Sequence, residues 1–313
     1  MADVASQFIS PDPHVPRLFY RGEGILPRNT PYDARHSYTK VAERLEHAVQ
    51  VVADRVRVDP SSRVAKWTAA LSRLASANKR AVLEQLVECL ERGEWDHPYR
   101  DSFLALSESR MFIEIVDNLL NFLTDRELRE LVSGHQDPAL DRASARGRDR
   151  EFEWYIAAIL RRGGLHVALA EPDLLVRMGG EIRAIAAKRL TSRRQLQRNI
   201  KKASAQIAGA GYQGYIFLEL TRYIDPEVRF IEHWRDESRP VGIRLDRVAR
   251  MPALVDRRNE SVQGAFLRAA FPRIFPGYEY GTFEHLTAVA VSGGNKEEHV
   301  ELTRALYFGM QGV

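Results

Sequence analysis

Cysteine is all but missing: Cys89 is the single one in 313 residues. No intrachain disulfide and no zinc site built from several cysteines can form. Cys89 sits in the apolar series Leu83, Leu86, Val87 and Leu90, so it reads as a small core residue. Long apolar runs are also missing. The chain has no run of about 18 apolar residues, which excludes a membrane-spanning helix. Its opening Met-Ala-Asp has neither the basic nor the apolar region of a secretory signal. A reducing, cytoplasmic setting without a membrane partner is the expectation. The nine histidines are scattered, with no HExxH and no i,i+4 pair. The sequence lacks a GxxxxGK[ST] loop and a Gly-x-Ser-x-Gly elbow, and Gly209-Ala210-Gly211 follows a helical pattern rather than opening one. Zinc-peptidase, P-loop and nucleophile-elbow chemistry are therefore not indicated.

What is present starts with an ordinary hydrophobic share of 44%, enough for a real core. Formal net charge is +4, a mild excess whose distribution says more than its size. Residues 1–36 hold five prolines (11, 13, 16, 27 and 31) among Val15, Leu18, Phe19, Tyr20, Ile25 and Leu26. Proline fixes φ and removes a donor, so this reads as an extended arm, ordered only by docking. Residues 37–133 switch to helical spacing. Val41, Leu45, Ala48, Val49 and Val52 share one face; Trp67, Leu71 and Leu74 share the next. Further helices are expected over Lys79–Leu90 and Phe103–Leu123. Thr124-Asp125 should cap another, Arg126–Val132. Residues 134–148, with Gly134, Pro138 and Gly147, read as a linker. An all-α domain of four to six helices precedes it, offering a surface for a second copy of the chain or a protein partner.

From 149 to 313 the pattern is mixed. A helix is expected over Arg150–Arg162 and strands over Leu165–Ala170, Pro172–Arg177 and Ile182–Lys188. A helix over Arg193–Ala208 and a buried strand over Tyr215–Leu220 follow, giving the order α-β-β-β-α-β. Val228–Trp234 and Val241–Val248 fit neither period clearly. Gly264–Phe275 reads as helix, Leu286–Ser292 as strand and Glu297–Tyr307 as a final helix. The fold class is α+β or α/β with a mixed sheet.

Chemistry concentrates between Glu171 and Lys188. Glu171-Pro172-Asp173 opens one apolar run and Lys188 closes the next, with Met178-Gly179-Gly180 as the turn between them. A hairpin of this kind sets a carboxylate beside an ammonium. Oxygen ligands suit a hard divalent cation, and a lysine beside them can hold a phosphate. Lys188, Arg189, Arg193, Arg194, Arg198, Lys201 and Lys202 follow without any acidic residue between Glu181 and Glu219. Positions 194, 198, 201 and 202 fall near one side of a helix, a pattern that suits a phosphate backbone.

The element order, Pro172-Asp173 and Lys188 together resemble the core of the PD-(D/E)XK nuclease superfamily, over under a third of the chain. Glu153 matches a glutamate often found on that family's first helix, and Gln206 a glutamine on its second. The resemblance implies a restriction-endonuclease-like core and Mg2+ or Mn2+ as cofactor. It also implies phosphodiester cleavage, with DNA as partner rather than RNA, in phage defence or DNA restriction. Catalytic residues would be Asp173, Lys188, Glu153 and Gln206. Asp173, Glu153, Glu171 and the Ala187 carbonyl would surround the metal, and Arg189, Arg194, Arg198, Lys201 and Lys202 would contact nucleic acid. One position departs. The family's second acid stands two residues before the lysine, and here that residue is Ala186. The acid has migrated to Glu153 or Glu171, or the chain is an alanine-inactivated variant, or the fold is a degenerate nuclease that binds or scaffolds without cutting.

Overall fold

The computed structural model describes residues 9, 32–34, 38–92, 94, 99–135, 145–190, 192–225, 232–233, 248, 261–275, 279–290 and 296–311. The protein is mixed α/β, with a helical N-terminal part. Among the described residues the first strand is β1 (Tyr32–Ala34). Helices α1 (Tyr38–Ala53), α2 (Arg63–Ala75), α3 (Lys79–Glu91), α4 (Arg100–Leu119) and α5 (Asp125–Val132) follow. Their starts are written locally. The Ser62 hydroxyl accepts from the Ala65 N–H to cap α2. Thr124 and Glu127 form a reciprocal capping box on α5. Their stripes are buried as the spacing predicts: Leu45, Ala48 and Val52 in α1, Trp67, Leu71 and Leu74 in α2.

The mixed region opens with α6 (Ala145–Arg162), whose first turn lies inside the expected linker; residues 136–144 of that linker lie outside the described set. Strands β2 (His166–Ala168), β3 (Leu174–Met178) and β4 (Glu181–Arg189) come next. They are followed by a 3-10 turn (Arg193–Gln195), α7 (Leu196–Gly209), β5 (Gly214–Glu219), the short α8 (Thr221–Ile224) and β6 (Glu232–His233). The chain finishes with β7 (Val262–Phe275), β8 (Glu279–Ala290) and α9 (Lys296–Gln311). One eight-stranded sheet runs β1-β8-β7-β5-β4-β3-β2, with β6 also on β7. The β3–β4 pair is antiparallel, while β4–β5 and β5–β7 are parallel, so the sheet is mixed. Both sheet edges meet the arm: Tyr32–Ala34 pairs with β8, and Ile9 bridges Val167 on β2.

The two faces of the sheet are buried differently. Leu174, Val176, Ile185, Ala187, Phe217 and Phe266 join one cluster with Trp67, Phe103, Phe112, Phe152 and Trp154 of the helical layer. Leu175, Ala184, Ala186, Ile216, Leu218 and Leu267 form a second cluster beneath Leu196, Ile200, Ala203 and Ile207 of α7. Helices α6 and α9 pack at backbone contact. A Cβ on Gly309 would lie 1.9 Å from the Ile159 carbonyl oxygen, so only glycine fits.

Two expectations need correction here. Gly264–Phe275 is not helical; it lies within β7. That strand is flanked on both sides, parallel to β5 and antiparallel to β8. Residues 264–272 are buried on both faces, which erases the alternation that marks a strand. The expected Leu286–Ser292 strand belongs to the longer β8, which begins at Glu279. Of the two unclear segments, only residues 232–233 and 248 are described, and residues 232–233 are strand.

Candidate active site

Strand β4 outruns its neighbour. The β3–β4 ladder ends at Leu174↔Ile185, whereas β4 continues beside β5 as far as Arg189↔Glu219. At that open edge a side chain takes over the work of a strand. Asp173 Oδ2 accepts the Ala187 N–H at 2.8 Å and the Lys188 Nζ at 2.6 Å. Lys188 Nζ also donates to the Ala187 carbonyl at 2.9 Å. Asp173 and Lys188 are largely buried, at 10% and 13% side-chain exposure. Burial raises the Asp173 pKa; the Lys188 ammonium and the Ala187 N–H oppose that shift, and Glu171 adds to it.

Glu153, on the third turn of α6, comes to the same place. Its pKa is pushed up to about 7, first by burial and then by the Asp173 carboxylate. Arg150 donates to it at 3.2 Å, and Lys188 favours its charged form more weakly. The sequence did not single out Arg150, though an arginine three residues before a helical glutamate is a readable pairing signal. Glu171 is exposed in the turn before Asp173 and reaches the site only through its charge.

Other expected members lie elsewhere. Gln206 sits ten residues beyond Leu196, about 15 Å along α7. Because α7 returns the chain from the end of β4 to the start of β5, Gln206 lies toward the opposite end of the sheet from Lys188. Its Oε1 is buried without a hydrogen-bond partner. Ala186 is fully buried against the α7 cluster. Arg194, Arg198, Lys201 and Lys202 are all exposed, as a nucleic-acid face requires.

Arg189 must be removed from that face. Its side chain is only 3% exposed and lies 3.7 Å from Glu108 of α4 and 3.5 Å from Glu219 of β5. A guanidinium buried this deeply between two carboxylates cannot reach a phosphate backbone. The same network takes in Arg148, bonded to Glu108, and Arg268, 3.8 Å from Glu219. Burial pushes the Glu108 pKa up, but Arg148, Arg189 and Arg63 together hold it below the usual carboxylate range. Glu219 was legible in one respect: a carboxylate inside the apolar run Tyr215–Leu220 demands a buried partner.

The oxygens here define what the site could hold. Among the described residues no three His, Cys, Asp or Glu side chains form a metal-holding group. Asp173, Glu153 and the Ala187 carbonyl offer two carboxylates and one carbonyl, a set suited to a water-rich magnesium-type ion rather than a protein cage. Two facing carboxylates, one titrating near 7, form an electrostatic environment that a divalent cation would relieve. The chain is thus a mixed α/β protein with a carboxylate–lysine site at a strand end. It matches no family model, no curated protein and no solved structure. Among the described residues no helix is long and apolar enough to cross a membrane.

Proposed function

We propose that this chain is a divalent-cation-dependent nuclease of the PD-(D/E)XK type that cleaves phosphodiester bonds in DNA, with a role in phage defence or restriction. The observation that carries this reading is the meeting of Asp173, Lys188 and Glu153 at the end of β4. The order α6-β2-β3-β4-α7-β5 supports a restriction-endonuclease-like core. Asp173, Glu153 and the Ala187 carbonyl would hold Mg2+ or Mn2+, which when bound polarises a phosphate and acidifies a water. Lys188 Nζ, fixed by Asp173, donates to a non-bridging phosphate oxygen as charge builds on it. Arg194, Arg198, Lys201 and Lys202 hold the flanking phosphates without reading sequence.

A second reading has its own observation. Ala186 packs into the apolar cluster at the family's second acidic position, which favours a degenerate nuclease fold that binds nucleic acid without cutting. Incubating the protein with linear duplex and Mg2+ or Mn2+ separates the two. Cleavage that is lost in Asp173→Asn supports the nuclease. Metal-independent binding with no cleavage by the wild type supports the second reading.

A further inference from the structure

Lys188 is the group that matters in the proposed chemistry, and the strand end that carries it is paired with a neighbouring strand on one side only. Beyond Ile185, β4 runs past the end of β3, and among the described residues only the Asp173 carboxylate grips its backbone on that side. On the other side the ladder to β5 continues to Arg189↔Glu219, and the Leu190 N–H donates to the Glu219 carbonyl at 3.0 Å. Arg189 follows Lys188 and, by the alternation of a strand, points to the opposite face. There its guanidinium lies 3.7 Å from Glu108 and 3.5 Å from Glu219, held by charge rather than by hydrogen bonds, since its Nε and Nη1 are buried without a hydrogen-bond partner. Each of those carboxylates is itself anchored. Glu108 bonds Arg148 of α6. Glu219 faces Arg268 of β7 and accepts the Thr221 N–H at 3.0 Å. Five elements, α4, α6, β4, β5 and β7, therefore converge on the residue after Lys188.

Apolar packing could hold a strand end at least as cheaply as buried ions do. What an ion network adds is direction: a guanidinium between two fixed carboxylates sets the position of its own backbone. We infer that Glu108 and Arg189 are positioning residues, through which the helical layer fixes β4 and sets the Lys188 ammonium against Asp173. This rests on the reading of Lys188 as the phosphate-contacting group. Neither Glu108 nor Arg189 would touch substrate.

The test uses the full chain carrying Glu108→Gln, which keeps shape and drops charge. Cleavage kinetics on duplex DNA are read beside the NMR signal of the Lys188 ammonium in lysine-labelled protein, assigned with Lys188→Arg. Expected are a kcat lowered about tenfold, an unchanged KM and a Lys188 signal moved toward that of a free lysine. Arg189→Lys, which keeps the charge but moves it on a shorter side chain, should give the same pair of changes and serves if Glu108→Gln does not fold. A Lys188 signal that stays in place in the folded variant overturns the inference. If the wild type cleaves no DNA, the nuclease reading fails, while a moved Lys188 signal still upholds the positioning role.

Discussion

The Lys188 ammonium lies 2.6 Å from Asp173 Oδ2 and 2.9 Å from the Ala187 carbonyl oxygen, so one cation already bridges the two oxygens expected to face a metal. A lysine in that seat shows that the oxygens are arranged for positive charge. Asp173→Asn removes the anion but keeps the shape. Cleavage should fall by at least ~100-fold, the order that loss of one charge-stabilising group costs. Mg2+ or Mn2+ should raise the thermal midpoint of the wild type by preferential binding to the folded state, and that rise should vanish in the variant. Unchanged cleavage in folded Asp173→Asn would remove Asp173 from the chemistry.

Glu153 gives a pH prediction with a definite sign. Its folded pKa is raised from the usual 4.5 to about 7 by burial and by Asp173. Below pH 4.5 it is protonated in both folded and unfolded chains and imposes no penalty. As pH rises from 4.5 to 7 the unfolded chain ionises first, so stability drops across that window and then levels off. The shift corresponds to roughly 3 kcal/mol. Glu153→Gln should therefore match the wild type below pH 4.5 and exceed it in stability above pH 7. Urea unfolding at pH 4.5, 6 and 7.5 measures this directly, and a pH-independent difference would place Glu153 outside the carboxylate pair.

The helices were legible because their signals are local. The Thr124 cap and the stripe of Leu196, Ile200, Ala203 and Ile207 need only a few neighbouring residues, and both occur in the structure. The pairing of Asp173 with Lys188 was legible because the hairpin between them fixes it. β7 was misread because it lies inside the sheet with both faces covered, Phe266 in one apolar cluster and Ala265, Leu267, Ala269 and Phe271 in the other. Arg189 was misread because, along the chain, it belongs to a basic run. What decides its role is Glu108, far away in sequence on α4. Arg63 and Glu151 illustrate the same point, paired across 88 residues with no local signal.

That pair yields a stability prediction. Arg63 Nη1 donates to Glu151 Oε2 at 2.7 Å, and both side chains are completely buried. Burial lowers the Arg63 pKa, and Glu151 opposes that shift. Glu151→Gln leaves a buried guanidinium without its counter-charge, at a cost of about 3–5 kcal/mol. Chemical denaturation would show it. A loss below about 1 kcal/mol would mean that water or another carboxylate compensates the arginine.

Ala186 separates the histories open to this site. Its Cβ faces the apolar cluster under α7 and is fully buried. A carboxylate placed there without metal should destabilise the fold by about 3 kcal/mol or more. Ala186→Glu is therefore expected to lower the unfolding midpoint without raising cleavage, since Glu153 already supplies the second carboxylate. If Ala186→Glu instead gains both cleavage and metal affinity, this position is a vacated ligand.

The basic face of α7 and the 3-10 turn before it make the last prediction. Arg194, Arg198, Lys201 and Lys202 are exposed, while the apolar side of the helix is buried against the sheet. Charge runs are often no more than solvated faces, so affinity alone does not decide between that role and DNA binding. The salt dependence does. Each phosphate that the protein neutralises releases condensed counterion. The slope of log K against log salt therefore falls by about 0.9 for every duplex phosphate left without its cationic side chain. Replacing Arg198 and Lys201 with alanine should weaken binding equally across sequences and flatten the slope by up to about 1.8. The fold should survive, because Leu196, Ile200, Ala203 and Ile207 are untouched. Anisotropy titrations at several salt concentrations provide both quantities. An equal affinity and an equal slope in the double variant would reduce α7 to a solvated helix, leaving the nucleic-acid reading to rest on Asp173, Lys188 and Glu153.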